Sequence, residues 1–418
     1  MDTSIPGFRP VPRTGVIYVT HEAIRHGFTY GHAEWANLGQ GSPETGTIPG
    51  APDRIATVPI TPAAQQYGTV GGVTDLRQAV ADYYNATYRR GMKSQYTAEN
   101  VSIAGGGRLA LTRLASALGN INMGHFIPDY TAYEELLSVF KAFTPIPILL
   151  RAEEGYKISV AALKEEILGR GLSALLVSNP ANPTGQLIAG RELAAWCGLA
   201  RECQCSMIFD EFYSHYIYSG GTARKPRLVS AAQYVEDVDK DPVVIVDGLT
   251  KNWRYPGWRI SWTLGPKAVI EAIASAGSFL DGGANHAVQN AALPLLEPEH
   301  AAAETLAIQK HFTRKRELVL ARLKKLGISA DATPEGAFYV WANLAKLPAP
   351  LDDGMVFFRE CLKEKTIVVP GVFFDVNPGH RRASARYKNY CRISFGPEID
   401  KLELGLAAIG RVIAKFKK

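Results

Sequence analysis

Lys251 sits in the stretch GLTKNWRYPGWR, residues 248–259, beside two tryptophans, a tyrosine, a proline and glycines that would fix the backbone around it. A lysine enclosed in this way is costly unless its charge is paired or removed. Condensation with an aldehyde removes the charge as a Schiff base, so Lys251 is a candidate electrophile-trapping amine. An ordinary partly buried lysine is the plainer alternative. Asp210 ends the apolar run SMIFD, where a lone carboxylate needs a cation. A protonated pyridine nitrogen would serve, because such a ring withdraws electrons only while it is protonated. A structural ion pair would serve equally. Tyr213, in DEFY, and Asn182, in NPANPTG, can each donate a hydrogen bond to a phenolate oxygen, which lowers the pKa of a neighbouring imine. The bond before Pro183 is a candidate cis peptide that would aim Asn182 inward.

A second set of residues suits anions. AGGGRLAL, residues 104–111, ends a strand and opens a helix. Backbone N–H groups at Gly106, Gly107 and Arg108 are therefore candidates to cradle a phosphate, although a tight turn uses the same glycines. Arg259 offers a planar, permanently charged fork to phosphate oxygens, and Thr250 a hydroxyl beside the lysine. Tyr130, after IPD, presents a flat face for stacking on an aromatic ring, or else is a core tyrosine. Arg392 lies in the apolar strand pattern NYCRISFG with no acidic residue close in sequence, so a substrate carboxylate would satisfy it bidentately.

The elements that must position these residues alternate. From residue 67 onward, helical spacings (LRQAVADYYNATY, GRLALTRLASAL, YEELLSVFKAF, VAALKEEIL, GRELAAWCGLARECQ) are interleaved with short apolar runs (VSIAGG, HFIPD, PIPILL, SALLVSNP, SMIFDEFY, PVVIVDGL). This predicts an α/β fold with a mostly parallel sheet covered by helices, its ligands at the carboxyl ends of the strands. A charged helix from about residue 296 leads to a smaller α+β unit, closed by an amphipathic helix with Leu402, Leu406, Ile409, Ile413 and Phe416 on one face. The expected division is an N-terminal arm over residues 1–45, which contributes to the small domain and covers the active site. A large domain over 46–295 and a small one over 296–418 follow. The arm, rich in Pro, Gly, His and aromatics, shows no clean periodicity.

With 46% hydrophobic and 21% charged residues over 418 positions, the chain has the composition of a soluble globular protein with ample core. Its longest apolar runs fall far short of the roughly 18 residues that a membrane span needs, and no secretory signal is visible, so a cytoplasmic protein is expected. Five cysteines without paired spacing read as buried thiols. The net charge of +6 comes largely from the last 45 residues. It favours anionic small molecules over nucleic acid, for which no recognition motif is present.

Taken in order, NLGQGSP, QYGTVGGVTDLR, GGGRLAL, PDYTAY, NPANPTG, DEFY, GLTKNWRYPGWR, PEGAFYVW, VVPG and CRISFG resemble the aspartate aminotransferase superfamily. This is fold type I, class I/II, dependent on pyridoxal 5'-phosphate, and the resemblance runs from residue 37 to the C-terminus. It implies a seven-stranded type of sheet and amino transfer between an α-amino acid and a 2-oxo acid, with a lyase, oxidase or cyclase on the same fold as the alternative. It implies that Lys251 carries the cofactor and moves the Cα proton, that Asp210 pairs with the ring nitrogen, and that Asn182 and Tyr213 hold the ring oxygen. Tyr130 would stack on the ring, and Arg259 with the 106–108 backbone would hold the phosphate. Tyr67 would reach the phosphate of a neighbouring subunit, making a homodimer, and Gly41 and Arg392 would receive the substrate carboxylate. No metal is implied. Three features depart from the pattern: the long Arg108, the aromatic NWRYP after the lysine, and the basic VNPGHRRASARYKNY, residues 376–390. The last two are candidates to line the pocket mouth.

Overall fold

The computed structural model describes residues 6–8, 11, 13 and 15–417. Seven strands, β1 (Val101–Ala104), β2 (Asn122–Ile127), β3 (Thr144–Leu149), β4 (Leu172–Ser178), β5 (Ser206–Asp210), β6 (Val243–Gly248) and β7 (Ser261–Leu264), form one sheet in the order β1-β7-β6-β5-β4-β2-β3. β2 to β6 run parallel, in register pairs such as Ser178 with Asp210 and Asp210 with Val246. β7 is antiparallel to both of its neighbours. The central strands are buried at nearly every position, which is why they read as unbroken apolar runs. The expected mostly parallel α/β sheet is therefore present. β7, a short strand in WRISWTLG, carried no sequence signal that set it apart.

Beyond the long helix Pro298–Lys325, Tyr339–Asn343 pairs antiparallel with Tyr390–Ser394 in a four-stranded sheet. The helix Ile399–Phe416 buries Leu402, Leu406, Ile409 and Ile413, as its spacing predicts. Ala36–Asn37 pairs in parallel with Thr366–Ile367 in a separate two-stranded sheet, so the chain before residue 45 is stitched to the C-terminal part of the chain. The absence of periodicity read in the first 36 residues is corrected by a helix over Gly15–Arg25. Val19 and Ala23 bury one of its faces, while Val16, Ile17 and Ile24 make another side apolar too, so the hydrophobic stripe is blurred. No helix among the described residues is long and apolar enough to cross a membrane, and all five cysteines are unpaired.

The helix Gly107–Ala117 follows β1 and aims its N-terminus at the carboxyl ends of the parallel strands. Its buried Arg113 anchors it. Nε lies 2.9 Å from Asp281 Oδ2, Nη2 pairs with Oδ1, and Nη1 donates to Ile103 O at 3.0 Å. Asp281→Ala would leave that guanidinium buried without its counter-ion. The expected loss of unfolding free energy is about 3 kcal/mol by denaturant titration; a loss below about 1 kcal/mol would show that the pair does not hold the helix.

Candidate active site

The parallel strands β4, β5 and β6 end side by side, and the chain leaving each carries a reactive side chain: Asn182 after β4, Asp210 and Tyr213 at and after β5, Lys251 after β6. They open on a cavity of about 750 Å³. Every residue singled out in the sequence lines it except Gly106 and Tyr67. Tyr67 is fully exposed elsewhere on the surface.

The Lys251 amine donates to Gly41 O, and its backbone carbonyl accepts from Tyr216 OH at 2.9 Å. Desolvation, followed by the positive fields of Arg392, Arg259 and Arg108, pushes its pKa down to about 7, against the opposing pull of Asp210. Between that value and the ordinary 10.5, the folded chain binds fewer protons than the unfolded one. The contribution of this group to stability therefore rises with pH across the window. Asp210, the one carboxylate among the described lining residues, is 6% exposed, and burial pushes it up to about 6. The Tyr133 hydroxyl donates to Asp210 Oδ2 at 2.6 Å and the Phe212 N–H to Oδ1 at 3.4 Å, both favouring the carboxylate.

At the helix N-terminus the expectation for Gly106 is corrected. Its N–H is not free but donates to Ala104 O at 2.7 Å. The residue is glycine for steric reasons: φ is +99°, and a Cβ would collide with the Arg259 guanidinium. Gly107 and Arg108, the first helical residues, keep the orphan N–H groups that open any helix. Arg259 itself adopts a left-handed backbone, φ +54°, and Arg108 and Arg259 share one region of the cavity, each a positive neighbour of the other. Arg108 Nη2 reaches Tyr130 OH at 3.4 Å. The Thr250 hydroxyl is buried with no hydrogen-bond partner.

Arg392 is 1% exposed. Nη1 donates to Asn182 Oδ1 at 3.0 Å and Nη2 to Gly39 O at 2.7 Å, while Nε is buried without a partner. Its guanidinium lies 4.2 Å over the Tyr339 ring, and Tyr339 OH is 2.8 Å from Tyr213 OH. A Cβ on Gly41 would come 2.9 Å from Tyr339 OH, which keeps that position a glycine. The Asn182–Pro183 bond is cis, as expected.

Both segments offered for the pocket mouth lie almost wholly elsewhere. Trp253 Nε1 donates to Leu295 O at 2.8 Å, Arg254 Nε meets the buried Glu304 at 2.7 Å, and Tyr255 accepts the Ile55 N–H at 2.9 Å, so NWRYP locks the lysine turn into the core. Only Pro256 of that stretch touches the cavity. The basic segment folds on itself, with Arg382 2.6 Å from Asp375. Sequence reasoning missed Tyr133 and Tyr339, though both stand in the quoted PDYTAY and GAFYVW. The arm expected to cover the site does line the cavity, through the Gly15–Arg25 helix, which the sequence did not reveal as a helix.

Residues 33–409 match the family model described as Aminotransferase class I and II. The chain is 28% identical over 349 residues, 82% of each chain, to the (5-formylfuran-3-yl)methyl phosphate transaminase of Methanocaldococcus jannaschii. It is 28% identical over 355 residues, 84% of each chain, to the aspartate/prephenate aminotransferase of Thermus thermophilus. Among solved structures, an aminotransferase from Mycobacterium tuberculosis superimposes with a TM-score of 0.77 at 25% identity, covering 99% of this chain and 100% of that one. Thermus thermophilus aspartate aminotransferase with maleate gives 0.77 at 24% identity over 97% and 100%, a likeness of fold.

An amine with a pKa of about 7 is a nucleophile at neutral pH. Trapping of an aromatic aldehyde on the protein by borohydride should rise about tenfold per pH unit below 7 and level off above 8, and Lys251→Ala should abolish this component. A rise that continues to pH 10 would mean that the amine keeps an ordinary lysine pKa.

Proposed function

Because the chain belongs to the class I and II aminotransferases, we propose that its cavity holds pyridoxal phosphate and that Lys251 and its neighbours use it to move an amino group between an α-amino acid and a 2-oxo acid. The residues present fit that cofactor. Asp210 is a buried carboxylate set to meet a protonated ring nitrogen, and the unpartnered Thr250 hydroxyl, the orphan N–H groups of Gly107 and Arg108 and the Arg259 fork suit a phosphate. When bound, pyridoxal phosphate supplies an aldehyde carbon and an electron-withdrawing ring that takes up charge from the substrate Cα.

Lys251 Nζ would anchor the cofactor and would be the base that takes the substrate Cα proton and returns it. A neutral form near pH 7 favours this, since a base matched to the working pH transfers protons best. Asp210 keeps the ring nitrogen protonated, and Tyr133 keeps Asp210 oriented through its 2.6 Å hydrogen bond. Tyr213 and Asn182 would donate to the ring oxygen, Tyr130 would pack on the ring face, and Arg392 with the Gly41 backbone would receive the substrate carboxylate. The unpartnered Arg392 Nε supports that last role.

The reading extends to a homodimer in which Tyr67, fully exposed and outside its own cavity, completes the phosphate site of the partner subunit. It includes the division at residues 45 and 295, supported by the pairing of Ala36–Asn37 with Thr366–Ile367. A reducing, cytoplasmic setting is supported by five unpaired cysteines.

One observation carries the proposal. A single cavity gathers a lysine with a depressed pKa, one buried carboxylate and four arginines. Amino acids added to the holoenzyme should convert its cofactor absorbance to that of the amine form, and a 2-oxo acid should restore it. Lys251→Ala should cut turnover by at least about a thousandfold. Release of ammonia without a restorable amine form would favour elimination or oxidation instead.

A further inference from the structure

Once Arg392 has received a carboxylate, and Arg259 with the helix N-terminus a phosphate, the cavity wall that remains is made largely by the helix Gly15–Arg25. The inner side of this helix is fixed. Val19 and Ala23 are fully buried, Tyr18 packs 5.3 Å from the Phe373 ring, and a Cβ on Gly15 would come 2.5 Å from Thr131 Oγ1, beside Tyr130. Its other side, carrying Val16, Ile17, Thr20 and Ile24, lines the cavity opposite Leu111. Ile17 and Ile24 stay 51% and 53% exposed, so this wall offers apolar area, interleaved with Thr20 and His21, in a concave place.

We propose that this wall is the side-chain subsite and that it selects an amino-group donor with a large apolar side chain, aromatic or branched, with Ile17 and Ile24 as the specificity-determining residues. The inference rests on the aminotransferase reading above. Three observations favour this class of substrate. The cavity, at about 750 Å³, has room for a bulky side chain beside a ring cofactor. No carboxylate stands on this wall among the described residues, since Asp210 lies at the strand ends, so a cationic side chain finds no counter-ion there. Of the arginines that line the cavity, Arg259 and Arg392 are assigned to the phosphate and the carboxylate and Arg108 contacts Tyr130 OH, which leaves only Arg13, just before the helix, to an acidic side chain. An apolar side chain gains by covering Ile17 and Ile24, whereas an acidic one would be desolvated against them.

The test is a donor panel run on the holoenzyme with one 2-oxo acid in excess. Phenylalanine and leucine should exceed alanine and aspartate in kcat/KM by at least about tenfold. The double variant Ile17→Ala/Ile24→Ala should lower the phenylalanine-to-alanine ratio of kcat/KM by about tenfold. Its folding is checked by the cofactor absorbance, and because both side chains are half exposed their truncation opens no core cavity. Aspartate or glutamate as the best donor would overturn the proposal and hand the subsite to Arg13 or Arg108. A phenylalanine preference that survives in the double variant would overturn the assignment to the helix. No turnover with any amino acid would contradict the aminotransferase reading itself.

Discussion

Lys251 and four arginines, Arg13, Arg108, Arg259 and Arg392, face one cavity in which Asp210 is the only carboxylate among the described lining residues. That imbalance is the constraint on which the rest of the site depends. Like charges crowded in a partly dehydrated space raise each other's cost, and the strongest acid among them yields its proton first. Arginine cannot yield its proton at neutral pH, so the lysine does, and its amine becomes nucleophilic without any separate base. The same excess of positive charge is a standing affinity for anions. A phosphate and a carboxylate together would neutralise what the protein leaves unneutralised.

Holding such a cluster requires a frame that does not relax, and the frame lies behind the cavity. Asn252, the residue after the lysine, is fully buried. Its Nδ2 reaches Asp247 Oδ1 at 2.7 Å, Ser214 Oγ at 2.9 Å and Glu211 O at 3.0 Å, while its Oδ1 accepts the His215 N–H at 3.0 Å. The turn that carries Lys251 is thereby tied to the segment that carries Asp210 and Tyr213, and the aromatic residues after it are spent on the core. On the other side, Arg113 and Asp281 fix the helix whose N-terminus faces the cavity. Chemistry at three strand ends is thus set by contacts one layer deeper.

Much of this was legible in the sequence because the informative residues disagree with their surroundings. A lysine among tryptophans, an aspartate ending an apolar strand and an arginine inside another each announce an unmet electrostatic need. The alternation of strands and helices was equally visible, since buried parallel strands are apolar at every position. What stayed hidden had no such disagreement. Tyr133 and Tyr339 are ordinary core tyrosines until their hydroxyls are found 2.6 Å from Asp210 and 2.8 Å from Tyr213. The Gly15–Arg25 helix is apolar toward both the small sheet and the cavity, which erases the stripe that would have revealed it. Gly106 looked like an anion donor because sequence cannot tell a free N–H from one closed into a turn by a φ of +99°.

The most direct test of the central claim is the protonation state of the ring nitrogen in pyridoxal phosphate bound to the native protein, read by magnetic resonance of an isotope-labelled nitrogen. The pairing of Asp210 with that nitrogen requires a protonated signal throughout the neutral range, lost in Asp210→Asn. A neutral nitrogen in the native protein, or a protonated one that survives in Asp210→Asn, would contradict the account.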